Sequence, residues 1–323
     1  MRFHKIALTG LTAIAALGMA SEAVAGGRNP GSLLLYPEFN NRMGDVSVLT
    51  VTNVDDANSV DVEFVYIGRY SQSGETVYCA EFNRTETLTP NDTLTLLTNY
   101  HNPGMEQGFV YAFAREGVAN PVLHNGLIGN VMTIQGFSGV EYSINAVSYA
   151  GIDPTDDGNG LRDLDGSEYE GSPAEIQIPR FFGQGNYFMS ELVLIGLSGG
   201  AKFETTVDFL IYNDNEEVFS AEHSFYCWDR IALEQVSPLV RNDFLRDNTN
   251  HDLSEVLGHS SLESGWIRMW GAIASSTSTD IADPAVYGVL IERIGTLGGA
   301  DLPFETGVNL NGKLLARSND GTF

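Results

Sequence analysis

Val46-Ser-Val-Leu-Thr-Val-Thr52 and, one turn later, Val60-Asp-Val-Glu-Phe-Val-Tyr66 decide the fold class. Both alternate with period two through β-branched or aromatic residues, the pattern of a strand with one face on a core and one on solvent. Gly108-Phe-Val-Tyr-Ala-Phe-Ala114 continues it, as do 142–148, 192–197 and 266–274. Turn chemistry separates these runs at Asp55-Asp56-Ala57-Asn58, Asn102-Pro103-Gly104 and Ser198-Gly199-Gly200. One stretch has helical spacing: Asn250 as cap, Leu253, Val256 and Leu257 on one face, and Gly258 as the stop. Short strands at regular intervals with little helix predict an all-β chain built of β-sandwiches, immunoglobulin-like or jelly-roll-like.

Two halves of the chain repeat one another in order. Pro37-Glu-Phe39 parallels Pro179-Arg-Phe181, and Val62-Glu-Phe-Val-Tyr66 parallels Val207-Asp-Phe-Leu-Ile-Tyr212. Tyr78-Cys79 parallels Tyr226-Cys227, with Arg84 and Arg230 following and an equal interval to Pro90 and Pro238. Gly108-Phe109 and Gly265-Trp266 come next, then Pro121 with Gly126-Leu-Ile128 against Pro284 with Gly288-Val-Leu-Ile291. A single ordered series of this kind predicts tandem duplication of one module. The expected organisation is a signal peptide over 1–25, a first sandwich over 26–152, an acidic linker over 153–173, a second sandwich over 174–312, and a polar tail over 313–323. The predicted helix falls in the second sandwich.

The leader prediction rests on Arg2 and Lys5, an apolar stretch, and Ala23-Val24-Ala25 as the small-x-small cleavage pattern, which makes Gly26 the mature start. No later apolar run is long enough to span a bilayer as a helix. Export to the periplasm, cell surface or medium follows as the expected destination. The 323 residues carry 17 Lys+Arg against 42 Asp+Glu, a formal charge of −25, which repels phosphate backbones and anionic head groups. Nucleic acid is therefore excluded as an electrostatic partner, whereas a protein or carbohydrate partner and self-assembly remain open.

With only Cys79 and Cys227, a multi-thiolate zinc site is not available. An exported chain permits a disulfide between them, joining the halves; two buried thiols, one per core, is the alternative. The most distinctive local feature is the acidic segment containing Asp153, Asp156, Asp157, Asn159, Asp163, Asp165 and Glu168 with interleaved glycines. Hard oxygen ligands on a tightly turning chain suit calcium, although the EF-hand spacing is not met. These seven residues are the candidate calcium ligands, against the alternative of a solvated linker extended by its own repulsion.

No catalytic constellation stands out. Gly196-Leu-Ser198-Gly-Gly200 fits G-x-S-x-G, but a strand pattern follows it where a nucleophile elbow needs a helix, so a hairpin turn is expected. His251 and His259 are eight residues apart, too far for i, i+4 chelation. Tyr36, Tyr70, Tyr100, Phe181, Phe182, Tyr187 and Trp266 suit either sugar stacking or core. The start of the mature chain, an apolar Leu33 to Tyr36 behind a flexible lead, allows donor-strand exchange, with incorporation into its own sheet as the simpler outcome. The expected function is an exported, non-enzymatic structural, surface or interaction protein, calcium-stiffened at the domain junction. Carbohydrate binding is the alternative, and a secreted hydrolase assembled from scattered acids is a third.

Overall fold

The computed structural model describes residues 29–72, 75–117, 120–155, 161–185, 187–249 and 262–315. The expected leader over 1–25 and the expected helix over 250–258 lie outside them, as do His251 and His259. The first sandwich contains β1 (Leu33–Asn40), β2 (Val46–Asn53), β3 (Val60–Gln72), β4 (Glu75–Leu88), β5 (Thr93–Leu97), β6 (Met105–Glu116), β7 (Asn120–Pro121), β8 (Leu127–Ile134), β9 (Glu141–Asn145) and β10 (Val147–Tyr149). One sheet runs β10-β1-β6-β3-β4, with β7 on β6, and the facing sheet runs β5-β2-β8-β9. A single helical turn, α1 (Thr98–His101), links β5 to β6.

After β11 (Leu161–Leu164) the second sandwich follows: β12 (Glu175–Phe182), β13 (Glu191–Gly196), β14 (Glu204–Asn213), β15 (Val218–Tyr226), β16 (Trp228–Ala232), β17 (Ser264–Ser275), β18 (Asp280–Ala282), β19 (Val286–Ile294), β20 (Leu297–Asp301) and β21 (Phe304–Thr306). Its sheets run β21-β12-β17-β14-β15, with β18 on β17, and β16-β13-β19-β20. Strand for strand this is the order of the first sandwich, so the chain is two copies of one topology. Extra length in the second copy lies between β16 and β17. It holds α2 (Leu233–Val236), a 3-10 turn at Pro238–Val240 and α3 (Asn242–Asn248).

Two of the sequence parallels become cross-strand pairs. Phe39 of β1 stands opposite Gly108 of β6, and Phe181 of β12 stands opposite Gly265 of β17. Each pair follows a register shift at the Pro-x-Phe motif, between Tyr36 and Phe39 and between Ile178 and Phe181. Neither glycine has space for a side chain. A Cβ on Gly108 would lie 2.0 Å from the Ile67 carbonyl oxygen, and one on Gly265 2.1 Å from that of Tyr212.

The Tyr-Cys parallel, by contrast, is overturned. Cys79 lies near the start of β4, at its hairpin with β3, whereas Cys227 follows the last residue of β15 where the chain passes into β16. The matching place in the first copy is the turn between β4 and β5. Arg84 in β4 and Arg230 in β16 are likewise not equivalent, nor are Pro90 in a strand-to-strand turn and Pro238 in the 3-10 turn.

β1 explains its own lack of alternation. All eight residues are buried, because β1 is a central strand between β10 and β6. One face meets β8 of its own sandwich, while the strand also approaches β13 and β19 of the other domain. Leu33 to Tyr36 are thus incorporated in their own sheet. From residue 161 on, the segment expected as a linker is a packed strap: β11 pairs antiparallel with β22 (Gly312–Leu315), so 313–315 of the expected tail are strand as well. Arg162 of this strap is buried with its guanidinium 4.7 Å from the Phe113 ring on β6, and Tyr169 is fully buried.

Candidate functional site

Among the described residues three clasps join the two sandwiches, beside the approach of β9 to β20. Cys79 and Cys227 form a disulfide with Cα atoms 6.1 Å apart, across 148 residues of chain. Both cysteines have positive φ, 55° and 43°. Cys79 sits at a register shift in the β3–β4 ladder, opposite the stretch between Gly68 and Tyr70. Such a bulge turns a side chain out of the regular alternation, and here it delivers the thiol to the other domain.

A second clasp is ionic. Arg230 on β16 reaches Glu38 on β1, donates to the Tyr142 hydroxyl at 2.9 Å, and donates to Glu191 at 2.7 Å. Tyr142 in turn donates to the second Glu38 oxygen at 2.5 Å. Glu38 is completely buried. Its carboxylate raises the Arg230 pKa against the opposing effect of burial, so the guanidinium stays charged. Beside it the Trp228 indole donates to the Pro37 carbonyl at 3.0 Å. The strap is the third clasp, with the Lys313 backbone N–H donating to the Leu197 carbonyl.

Between the clasped domains lies a cleft of about 800 Å³. Its floor is the outer face of the β5-β2-β8-β9 sheet, where Thr50 pairs with Asn130 and Asn130 with Asn145. Asn130 donates to Asn145 at 3.2 Å, and Thr95 extends the row beyond Thr50. Ser143 and Ile128 complete the floor, while Leu302, Pro303 and the exposed Phe304 form the opposite lip. Glu305 and Tyr287 close one end, the Tyr287 hydroxyl donating to Glu305 at 2.8 Å. Burial pushes the Glu305 carboxyl upward, opposed by that hydrogen bond, and the charge of Glu170 pushes it further.

A smaller groove of about 340 Å³ runs beside the disulfide, flanked by Tyr78 and Tyr226, 67% and 48% exposed. Arg69 lies over the Tyr78 ring at 5.7 Å and pairs with Glu106 at 2.8 Å.

The acidic segment does not gather its described carboxylates around one point. Asp163 faces Lys313 at 3.4 Å, Asp165 caps its own turn through the Ser167 N–H, and Glu168 accepts from the Asp163 N–H. Asp153 accepts from the Thr155 hydroxyl. Asp156, Asp157 and Asn159 lie outside the described residues. Among the described residues no group of three His, Cys, Asp or Glu side chains could hold a metal ion.

Ser198 is structural. Its hydroxyl donates to the Asn311 carbonyl and accepts from the Ala285 N–H at 2.8 Å. The expected hairpin is corrected here: β13 and β14 belong to different sheets, so 197–203 is a crossing between them. One acid–imidazole–hydroxyl series does occur, with Glu86 3.4 Å from His101 and His101 2.8 Å from the Tyr66 hydroxyl. Tyr66 is fully buried, its hydroxyl pKa raised by burial, so substrate cannot reach it.

The aromatics singled out in the sequence do not form one surface: Tyr36 and Phe181 are core, and Trp266 stacks on Tyr212 at 4.4 Å. The sequence does not single out Phe304, and it gives Tyr78 and Tyr226 only as neighbours of the cysteines, since nothing in their local patterning separates an exposed strand aromatic from a buried one.

No family model matches the sequence, and no curated protein matches it. Among solved structures, the chain is similar to the Cowpea mosaic virus top component, described as naturally occurring empty particles. Identity is 10% and the TM-score 0.19, over 94% of this chain and 100% of that one. At that score the similarity has no bearing on function.

Proposed function

We propose that this chain is an exported, non-enzymatic structural or interaction protein that works as one rigid pair of sandwiches. The observation that carries this reading is the Cys79–Cys227 bond, which makes the joint between domains depend on an oxidising compartment. The leader pattern over 1–25 agrees with it. Among the described residues no helix is long and apolar enough to cross a membrane. The hydrolase alternative is disfavoured by the cleft itself: among the described residues Glu305 is the one carboxylate in its lining, whereas glycoside hydrolysis calls for two flanking acids.

The test is fractionation of the native host with thiol alkylation and N-terminal sequencing. The expected protein begins at Gly26, lies outside the cytoplasm, and takes up alkylating reagent only after reduction. A cytoplasmic protein retaining residues 1–25 with two free thiols would overturn the proposal.

A further inference from the structure

Going beyond that structural reading, we propose that the cleft between the sandwiches is a binding site for a neutral oligosaccharide. Its floor carries a three-strand row of uncharged donors and acceptors, Thr50, Asn130 and Asn145. Hydroxyls and amides of this kind can exchange their mutual hydrogen bonds for those of sugar hydroxyls without desolvating a charge. Opposite stands Phe304 on the short edge strand β21, 60% exposed. An aromatic face across from a polar floor matches a pyranose ring, which presents C–H groups on its faces and hydroxyls around its edge.

Charge narrows the class further. The chain carries −25, yet of the described side chains lining this cleft only Glu305 and Tyr287 titrate, and they are bonded to each other. An anionic glycan or nucleotide would meet an overall repulsive field with no Lys or Arg in the lining to hold it. A cationic ligand would find, among the described lining residues, only the half-buried Glu305 carboxyl, already bonded to Tyr287. The volume of about 800 Å³ accommodates a short oligosaccharide rather than a single hexose. Among the described residues one acid lines the cleft, an arrangement that suits holding a ligand rather than cleaving it.

The test is titration of the oxidised protein, followed by calorimetry and by NMR shift changes, with neutral oligosaccharides of glucose, mannose, galactose and N-acetylglucosamine two to four units long. Oligogalacturonate serves as the anionic probe. At least one neutral probe should bind, and the anionic one should not. Phe304→Ala and, separately, Asn130→Asp should each weaken that binding at least tenfold. Tyr226→Ala, in the groove beside the disulfide, should leave it unchanged. Binding insensitive to Phe304→Ala and Asn130→Asp, or abolished by Tyr226→Ala, would place the sugar elsewhere and overturn the proposal. Absence of binding to every neutral probe at millimolar concentration, or preference for the anionic one, would overturn it equally. None of these outcomes depends on where the protein resides, so failure here leaves the export proposal standing.

Discussion

Arg230 of the second sandwich and Glu38 of the first, 192 residues apart in the chain, form an ion pair sealed between the domains, with side-chain exposures of 9% and 0%. Tyr142 bonds to both groups, and Glu191 accepts a further hydrogen bond from Arg230. Charges removed from water to this degree are tolerated only when each finds such partners. Arg230→Ala strands the Glu38 carboxylate and should cost about 3–5 kcal/mol in urea unfolding. Pairing Glu38→Leu with Arg230→Met removes both charges and should recover most of that loss. A double variant as unstable as Arg230→Ala would show that the pair contributes through something other than charge compensation.

The disulfide closes a loop of 148 residues. On the chain-entropy account a closure of that length stabilises the fold by about 5 kcal/mol, and measured bonds usually fall somewhat below such values. Cys79→Ser/Cys227→Ser should therefore unfold at clearly lower denaturant concentration than the oxidised protein and should match the reduced wild type. An unchanged midpoint would deny the bond a stabilising role.

Glu81 supplies a pH dependence with a definite sign. Burial, with a lesser push from Glu63, raises its carboxyl to about 7 against the opposing hydrogen bond from Asn83, while the ordinary value is 4.5. Between those two values the folded chain holds a proton that the unfolded chain has lost, so this group's contribution to stability falls as pH rises from about 4.5 through about 7. Glu81→Gln should flatten that part of the profile and raise the melting temperature at pH 8. A profile of unaltered slope in the variant would refute the assignment.

Gly108 and Gly265 predict a matched pair of defects. A methyl group at either meets a backbone carbonyl at about 2 Å, which no side-chain movement relieves. Gly108→Ala and Gly265→Ala should each destabilise by about 1–3 kcal/mol or more, the range for overpacking a tight site. Equal loss in both copies is the signature of a shared close approach beneath the Phe39 and Phe181 bulges. Tolerance of alanine at either position by thermal melting would argue against it.

Much of the fold was legible in the residues because strands write a period of two. β2 and β14 alternate along their full length, and the Pro-x-Phe and Gly-aromatic parallels mark a bulge and a tight crossing that backbone sterics cannot do without. The cysteine pair keeps an equal interval to the next proline yet marks no equivalent place, because equal spacing in sequence does not fix a position in a sheet. The bond is real all the same, its two ends brought together by a bulge in one copy and a strand end in the other.

The acidic segment concealed its role for a different reason. Composition shows the charges of Asp163 and Glu168, but not that one meets Lys313 and the other a backbone amide in a strap. The cleft was illegible altogether, since Thr50 and Asn130 are distant in sequence and meet only when β2 pairs with β8, and Phe304 faces them only once the two domains dock.

Scanning calorimetry of the oxidised, full-length mature protein tests most directly whether the two sandwiches act as one unit. A single cooperative transition is predicted while Cys79–Cys227 is intact, splitting into two when the bond is reduced in the Arg230→Ala background. Two separate transitions in the oxidised wild type, each unaffected by reduction, would contradict it.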